Sequence, residues 1–287
     1  MKKLAGLCAG ICMVVGASAL VAQDMSDAVI PPPKVLVIGR EFTKPGKDGA
    51  PHEKTESAFV AALTAAKWPT HYLAMTSLSG RPRALFMFGY PSFEAWEKDN
   101  HDMMKDATLA ASIDRANVAD GENLDEVENS VYLYDPDLSL HVADVVHSRY
   151  FEISQYFVKP GHRADWLELV KLYVDGFSGI PNANWATFES YYGADNGGVY
   201  ISISRMTSLA EDDASMNDDK KFAAAVGPEK MKKVRELTAL CLDKQQTNLF
   251  EFSPKMSYPA PEWIKADPFW KPKAAMMAKK PATPATP

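Results

Sequence analysis

The sequence predicts an α+β fold, with two tandem βαββαβ units in one chain packed sheet to sheet as a pseudo-symmetric barrel. Three observations predict it. Arg40-Glu41-Phe42-Thr43-Lys44-Pro45-Gly46 matches Gln155-Tyr156-Phe157-Val158-Lys159-Pro160-Gly161, and each follows an apolar extended run. Helix, strand, turn, strand and helix signals then come in the same order after both segments. The last strands also match: Ser130-Val131-Tyr132-Leu133-Tyr134-Asp135-Pro136 against Asn248-Leu249-Phe250-Glu251-Phe252-Ser253-Pro254.

The elements follow from local pattern. A first helix over 53–67 carries Phe59, Leu63 and Ala66 on one stripe and ends at Trp68-Pro69; its counterpart over 163–177 repeats Trp166, Leu167, Val170 and Val174 at the helical period. Strands at 72–78 and 84–89 flank a Ser-Gly-Arg-Pro turn, and strands at 185–192 and 199–204 flank Gly193-Ala194-Asp195-Asn196-Gly197. Second helices open at Ser92 and Ser208, where Ser208 and Glu211 have capping-box spacing. A four-stranded sheet with helices on one face leaves the other face bare, and two such units solve this by facing each other.

Residues 1–22 read as a secretory signal. Lys2 and Lys3 precede an uncharged run from Leu4 to Ala22, with cleavage expected near Ala19 or Ala22, so the chain is expected to be periplasmic or secreted. A linker at 23–33 contains Pro31-Pro32-Pro33. The repeats occupy 34–140 and 147–258, and an aromatic, proline-rich arm with a disordered tail fills 259–287.

The chain has 287 residues and a formal charge of −6, or −6 − 2 = −8 without Lys2 and Lys3. With no basic cluster, this balance argues against nucleic acid, and against a membrane once the signal is removed. Beyond the signal only Cys241 remains, so no internal disulfide is available; its apolar stretch reads as core. No phosphate-binding glycine loop, dinucleotide fingerprint or serine-nucleophile elbow is present. His141 and His147 lack metal-ligand spacing, and Glu211-Asp212-Asp213 lacks the spacing of a calcium loop, so no metal is expected. His52 and His162, each just after a Pro-Gly turn, read as local polar residues near helix starts.

Phe151-Glu152-Ile153-Ser154-Gln155-Tyr156, followed by Lys159-Pro160-Gly161 and Trp166, resembles the dimeric α+β-barrel superfamily, most closely its NIPSNAP branch. Copy one resembles the broader superfamily that includes antibiotic-biosynthesis monooxygenases. The resemblance implies ferredoxin-like halves and a pseudo-dimeric barrel. It is poor for function, because that superfamily includes cofactor-free monooxygenases, haem-degrading enzymes, isomerases and members without known activity.

Strand alternation puts Glu152, Ser154 and Tyr156 on one face and Ile153, Gln155 and Phe157 on the other. The resemblance points the first set into the barrel, with Val37, Gly39 and Glu41 as the copy-one counterparts. Glu152, Tyr156, Glu41 and Arg205 are therefore the candidate binding residues, set against the plainer reading of a satisfied polar network. His101 resembles the iron ligand of haem-degrading relatives, yet Glu97, Asp99 and Asp102 around it suit a solvated helix face. No cofactor is expected from the motifs; haem is the alternative that the resemblance supplies. The function expected is binding of a small, largely apolar molecule or a protein partner in or near the inter-sheet cavity. The alternative is an oxidative enzyme, cofactor-free or haem-linked. Monomer and homodimer are both open.

Overall fold

The computed structural model describes residues 31–142, 144–193 and 198–271. The expected signal, most of the linker, the Asp195-Asn196 turn and the expected disordered tail lie outside the described residues. Copy one runs β1 (Val35–Thr43), α1 (Ala50–Ala66), β2 (Tyr72–Ser77), β3 (Arg83–Tyr90), α2 (Phe93–Lys105), α3 (Ala107–Gly121) and β4 (Leu124–Leu140). Copy two runs β5 (Tyr150–Val158), α4 (Arg163–Phe177), β6 (Trp185–Tyr192), β7 (Val199–Met206), α5 (Ala210–Ser215), α6 (Asp218–Cys241) and β8 (Leu242–Phe252). A short helix, α7 (Pro261–Ala266), and a 3-10 turn over Pro268–Trp270 follow. Among the described residues, no helix is long and apolar enough to cross a membrane.

Eight antiparallel strands close into one barrel in the order β1-β3-β2-β8-β5-β7-β6-β4. Each copy supplies four neighbouring strands, so the expected α+β barrel of two ferredoxin-like halves is present. The halves also hydrogen-bond at both edges. Met75↔Phe252 to Ser77↔Phe250 joins β2 to β8, and Val131↔Tyr192 to Leu140↔Trp185 joins β4 to β6 with two register shifts. Closure leaves no strand edge open. The last strands are longer than the motif suggested, because β4 and β8 each pair with a strand of their own half and one of the other half.

The inward faces form one apolar core that includes Leu36, Ile38, Met87, Phe151, Ile153, Phe188, Ile201, Ile203 and Phe250. Outward faces lie under helices. Leu63 of α1 and Leu109 of α3 cover Tyr72, Ala74 and Phe86; Trp166 and Leu169 of α4 and Leu237 of α6 cover Tyr200. Ser92 Oγ accepts the Ala95 N–H and starts α2. At the second expected cap, Ser208 Oγ accepts from Ala210 and the Glu211 carboxylate from Thr207 N–H, one residue earlier than in a regular capping box. Gly227 leaves helical geometry (φ 78°) ahead of Pro228 and breaks α6 into two segments, since Pro cannot continue the hydrogen-bond ladder.

The aromatic arm belongs to the core. Trp270 has no exposed surface; its indole N–H donates to the Val146 carbonyl at 2.6 Å, and its ring meets Phe252, Trp263 and Phe269 edge-on. Arg149 clamps the arm through Asp267 at 2.7 Å and lies over Phe269. Trp270→Ala leaves a large void and an unpaired carbonyl at one barrel end. A loss of about 3–5 kcal/mol is expected in denaturant unfolding; a variant within about 1 kcal/mol of wild type would show that the arm is dispensable.

Candidate functional site

The strand pattern groups the right residues on β5, but the inward direction implied by the resemblance is reversed. Phe151 and Ile153 point into the barrel core, whereas Tyr156 packs with the helix-side cluster of copy two. Glu152, Ser154 and Tyr156 therefore face α4 and α6, not the space between the sheets. The reason is composition: the inner faces of a closed barrel meet each other and take the aliphatic set. Glu41 follows the same rule on β1, where Leu36 and Ile38 point inward.

Between the copy-two sheet and its helices lies a cavity of about 710 Å³. Its floor is Glu152, Ser154 and Tyr156 of β5, Ser202 and Ser204 of β7 and Thr247 of β8; its walls are Trp166, Tyr173 and Phe177 of α4, with Glu211, Asp212, Asp218 and Asp219 at the rim. Tyr156 lies against Trp166 (centroids 4.9 Å apart) and Trp166 against Tyr200 (5.2 Å). Phe222 of α6 stacks on Tyr173 and Phe177, which holds the two helices together at one end. Gly176 permits this stack, because a Cβ there would sit 2.4 Å from the Phe222 ring.

Polar atoms along this lining are unevenly satisfied. Ser154 and Thr247 bond each other at 2.7 Å, and Ser202 bonds Thr187 at 3.0 Å. The Trp166 indole N–H, on a residue only 3% exposed, has no partner, and neither has the buried Nε of Arg205. Such orphaned donors are costly unless something accepts from them. Burial raises the Glu152 carboxyl above its ordinary pKa, and the nearby charge of Asp212 adds to this. Burial likewise raises the Tyr156 phenol. Burial alone would raise Glu211 too, but Thr207 hydrogen bonds and the charge of Arg205 hold its carboxyl below the usual range.

A second cavity of about 310 Å³ opens at one mouth of the barrel, lined by Leu36, Met87, Phe151, Phe188, Ile203 and Trp263 with Pro31 to Pro33. This is the inter-sheet space the sequence anticipated, smaller and more apolar than the helix-side cavity. Arg205 borders both.

In copy one the helix-side layer holds a cluster of buried titratable side chains. His52 of α1 places Nε2 2.9 Å from Glu41 Oε2, 3.6 Å from Asp120 Oδ1 and 3.9 Å from Glu56 Oε1. Burial pushes the Glu56 carboxyl up to about 10, aided by Glu41 and Asp120; burial also raises Glu41, against its His52 hydrogen bond. The sequence reading missed this group. His52 was taken as a local polar residue, although His52 and Glu56 stand at i, i+4, the spacing that puts two side chains on one helix face.

His101 is not placed to hold haem: it is exposed on α2 and borders neither cavity. Among the described residues no histidine lines the large cavity, whose rim carboxylates oppose an anionic macrocycle, while His71 borders the smaller one. Asp99, two residues away, is committed to Trp68, Thr70 and Tyr90. Haemin titration is expected to give the same spectrum for wild type and His101→Ala; a Soret band lost only in the variant would restore His101 as a ligand.

No protein-family model matches the chain, and no curated protein sequence matches it. Solved structures do. A proposed monooxygenase of Fusobacterium nucleatum superposes with a TM-score of 0.51 at 10% identity, covering 78% of this chain and 94% of that one. An anthrone oxidase-like protein (TM-score 0.48, 16% identity, 79% and 93%) and a variant chlorite dismutase from Candidatus Nitrospira defluvii (0.48, 9%, 80% and 96%) are also similar. At these identities the likeness is one of fold: a dimeric α+β barrel, here with both halves in one chain.

The raised Glu152 pKa fixes a sign. A carboxyl whose folded pKa lies above its unfolded value contributes stability that is present below the unfolded pKa and lost as pH rises through the folded one. Wild type should therefore lose stability relative to Glu152→Gln as pH rises above the ordinary carboxylate range and through the raised folded pKa of Glu152. Urea unfolding of both proteins at several pH values measures this; a difference that stays constant with pH removes the assignment.

Proposed function

We propose that the chain is an exported binding protein whose copy-two cavity takes one small, ring-bearing, amphipathic molecule, neutral or cationic. The observation that carries this reading is the aromatic-walled space of about 710 Å³ over the polar face of Glu152, Ser154 and Tyr156. That volume suits a drug-sized ligand, commonly about 300–1,000 Å³. Trp166 and Tyr173 supply flat apolar surface. A carboxyl such as Glu152 donates when protonated and receives a ligand cation when ionised, so it can serve either kind of ligand group. Acidic groups outnumber cations along the lining, since Lys221 is already paired with Asp218, and this disfavours anions. The lining is mixed in character, so the ligand class is amphipathic, narrower than the largely apolar molecule the sequence suggested.

Lys2, Lys3 and the run Leu4 to Ala22 support export, and the NIPSNAP-like segment around Lys159-Pro160-Gly161 supports kinship for copy two. One observation favours a second reading, oxygenation of a phenolic ligand without a bound cofactor. Glu152, a half-buried carboxylate facing the cavity whose pKa burial raises, could take the phenol proton that such chemistry must remove first.

Native mass spectrometry of protein purified from its own compartment is expected to show one retained small molecule per chain. Ser204→Trp, which projects an indole into the cavity from β7, should weaken its binding at least about tenfold with unfolding behaviour preserved, as loss of about 1.4 kcal/mol or more requires. A ligand held equally by wild type and Ser204→Trp would place binding elsewhere. Oxygen uptake with a quinol, abolished by Glu152→Gln, would select the enzymatic reading.

A further inference from the structure

We propose that Glu41, His52, Glu56 and Asp120 form a buried binding site for one divalent first-row transition ion of the Mn²⁺, Fe²⁺ or Zn²⁺ class, tying β1, α1 and α3 of copy one together. One ligand atom from each of the four residues lies within 4.8 Å of all the others. The separations from His52 Nε2 are 2.9, 3.6 and 3.9 Å. Ligand atoms about 2.1 Å from a common ion lie about 3.0–3.4 Å apart in octahedral or tetrahedral geometry, so small side-chain shifts bring this set onto one centre.

A separate observation points to an occupant. Glu56 is 3% exposed, and its Oε1, the atom nearest His52, has no hydrogen-bond partner among the described residues. His52 and Asp120 are each 2% exposed. Among the described residues no lysine or arginine pairs with these carboxylates, and the His52 imidazole is the group they share. Buried carboxylates without compensation are expensive, and a dication supplies both charge and ligand bonds. Outer contacts are in place: Thr55 Oγ1 donates to Asp120 Oδ1, and Asn123 Nδ2 donates to Thr55 Oγ1 at 3.1 Å. Glu41, the least buried of the four, gives the path to solvent.

Copy two shows what the same scaffold does without this set. Tyr156 occupies the position of Glu41, and it meets Trp166 as Glu41 meets His52. One turn on, Val170 stands where Glu56 does. The Lys44 N–H bonds Asn123 and the Lys159 N–H bonds Cys241, which aligns Asp120 with Thr238. All four ligand positions have therefore changed together, from metal-ligating to aromatic, aliphatic or hydroxyl. One imidazole with three carboxylates suits a borderline or hard dication, while calcium would want more oxygens than are gathered here.

Metal analysis of the full-length protein, purified without chelator, is expected to show about one Mn²⁺, Fe²⁺ or Zn²⁺ per chain. After chelation, adding Zn²⁺ or Mn²⁺ should raise the thermal midpoint, and isothermal titration should report one site. His52→Gln and Glu56→Gln should each weaken that binding about 100-fold, while the copy-two variant Ser204→Trp binds metal like wild type. If a ligand variant does not fold, Glu41→Gln at the exposed edge gives the same reading at lower structural cost. Chains that carry no metal and show no midpoint shift with any of the three ions overturn the proposal. So does metal binding that these substitutions leave unchanged.

Discussion

Closure of the sheet is the constraint on which the rest of the molecule depends. Two four-stranded halves join at both edges, through β2 with β8 and β4 with β6, so every strand has two neighbours. Once the ring is closed, the inner faces have only each other to pack against. They take Leu, Ile, Met and Phe, and Trp270 from the C-terminal arm seals one end. Glu41 on β1 and Glu152, Ser154 and Tyr156 on β5 then lie on the outward faces, under the helices. The layer between sheet and helix thereby gathers titratable side chains in each half.

The two halves use that layer differently. In copy two, a cavity opens between the polar sheet face and the aromatic wall of α4, and the Phe222 stack permitted by Gly176 holds α4 and α6 together at one end. In copy one, His52, Glu56 and Asp120 fill the equivalent depth and converge on Glu41. Duplication explains the common scaffold, and it also frees each half to specialise. One layer can change its lining without disturbing the closure that both halves share, because the apolar core lies on the opposite face of every strand.

Much of the architecture was legible residue by residue. The Lys-Pro-Gly turns, the helix stripe on Trp166 and Val170 and the Ser92 cap mark elements whose signals are local. The length of β4 and β8 was not legible, since their outer parts exist only through pairing with the other half. Alternation on β5 showed that Glu152, Ser154 and Tyr156 travel together, but a period of two is the same from either side. His101 had an apparent role by position alone; the helix that carries it turns it to solvent.

By itself, the sequence determined the tandem repeat, the order of strands and helices, and which residues share a strand face. These follow from spacing, turn chemistry and capping, all of which act over a few residues. Only the tertiary structure decided that the polar faces look toward the helices, that a large cavity opens in copy two, and that Glu41, His52, Glu56 and Asp120 meet. Those outcomes depend on which surfaces barrel closure leaves free. They also depend on contacts between β1, α1 and α3, whose ligand residues are too far apart in the chain for any local pattern to join them.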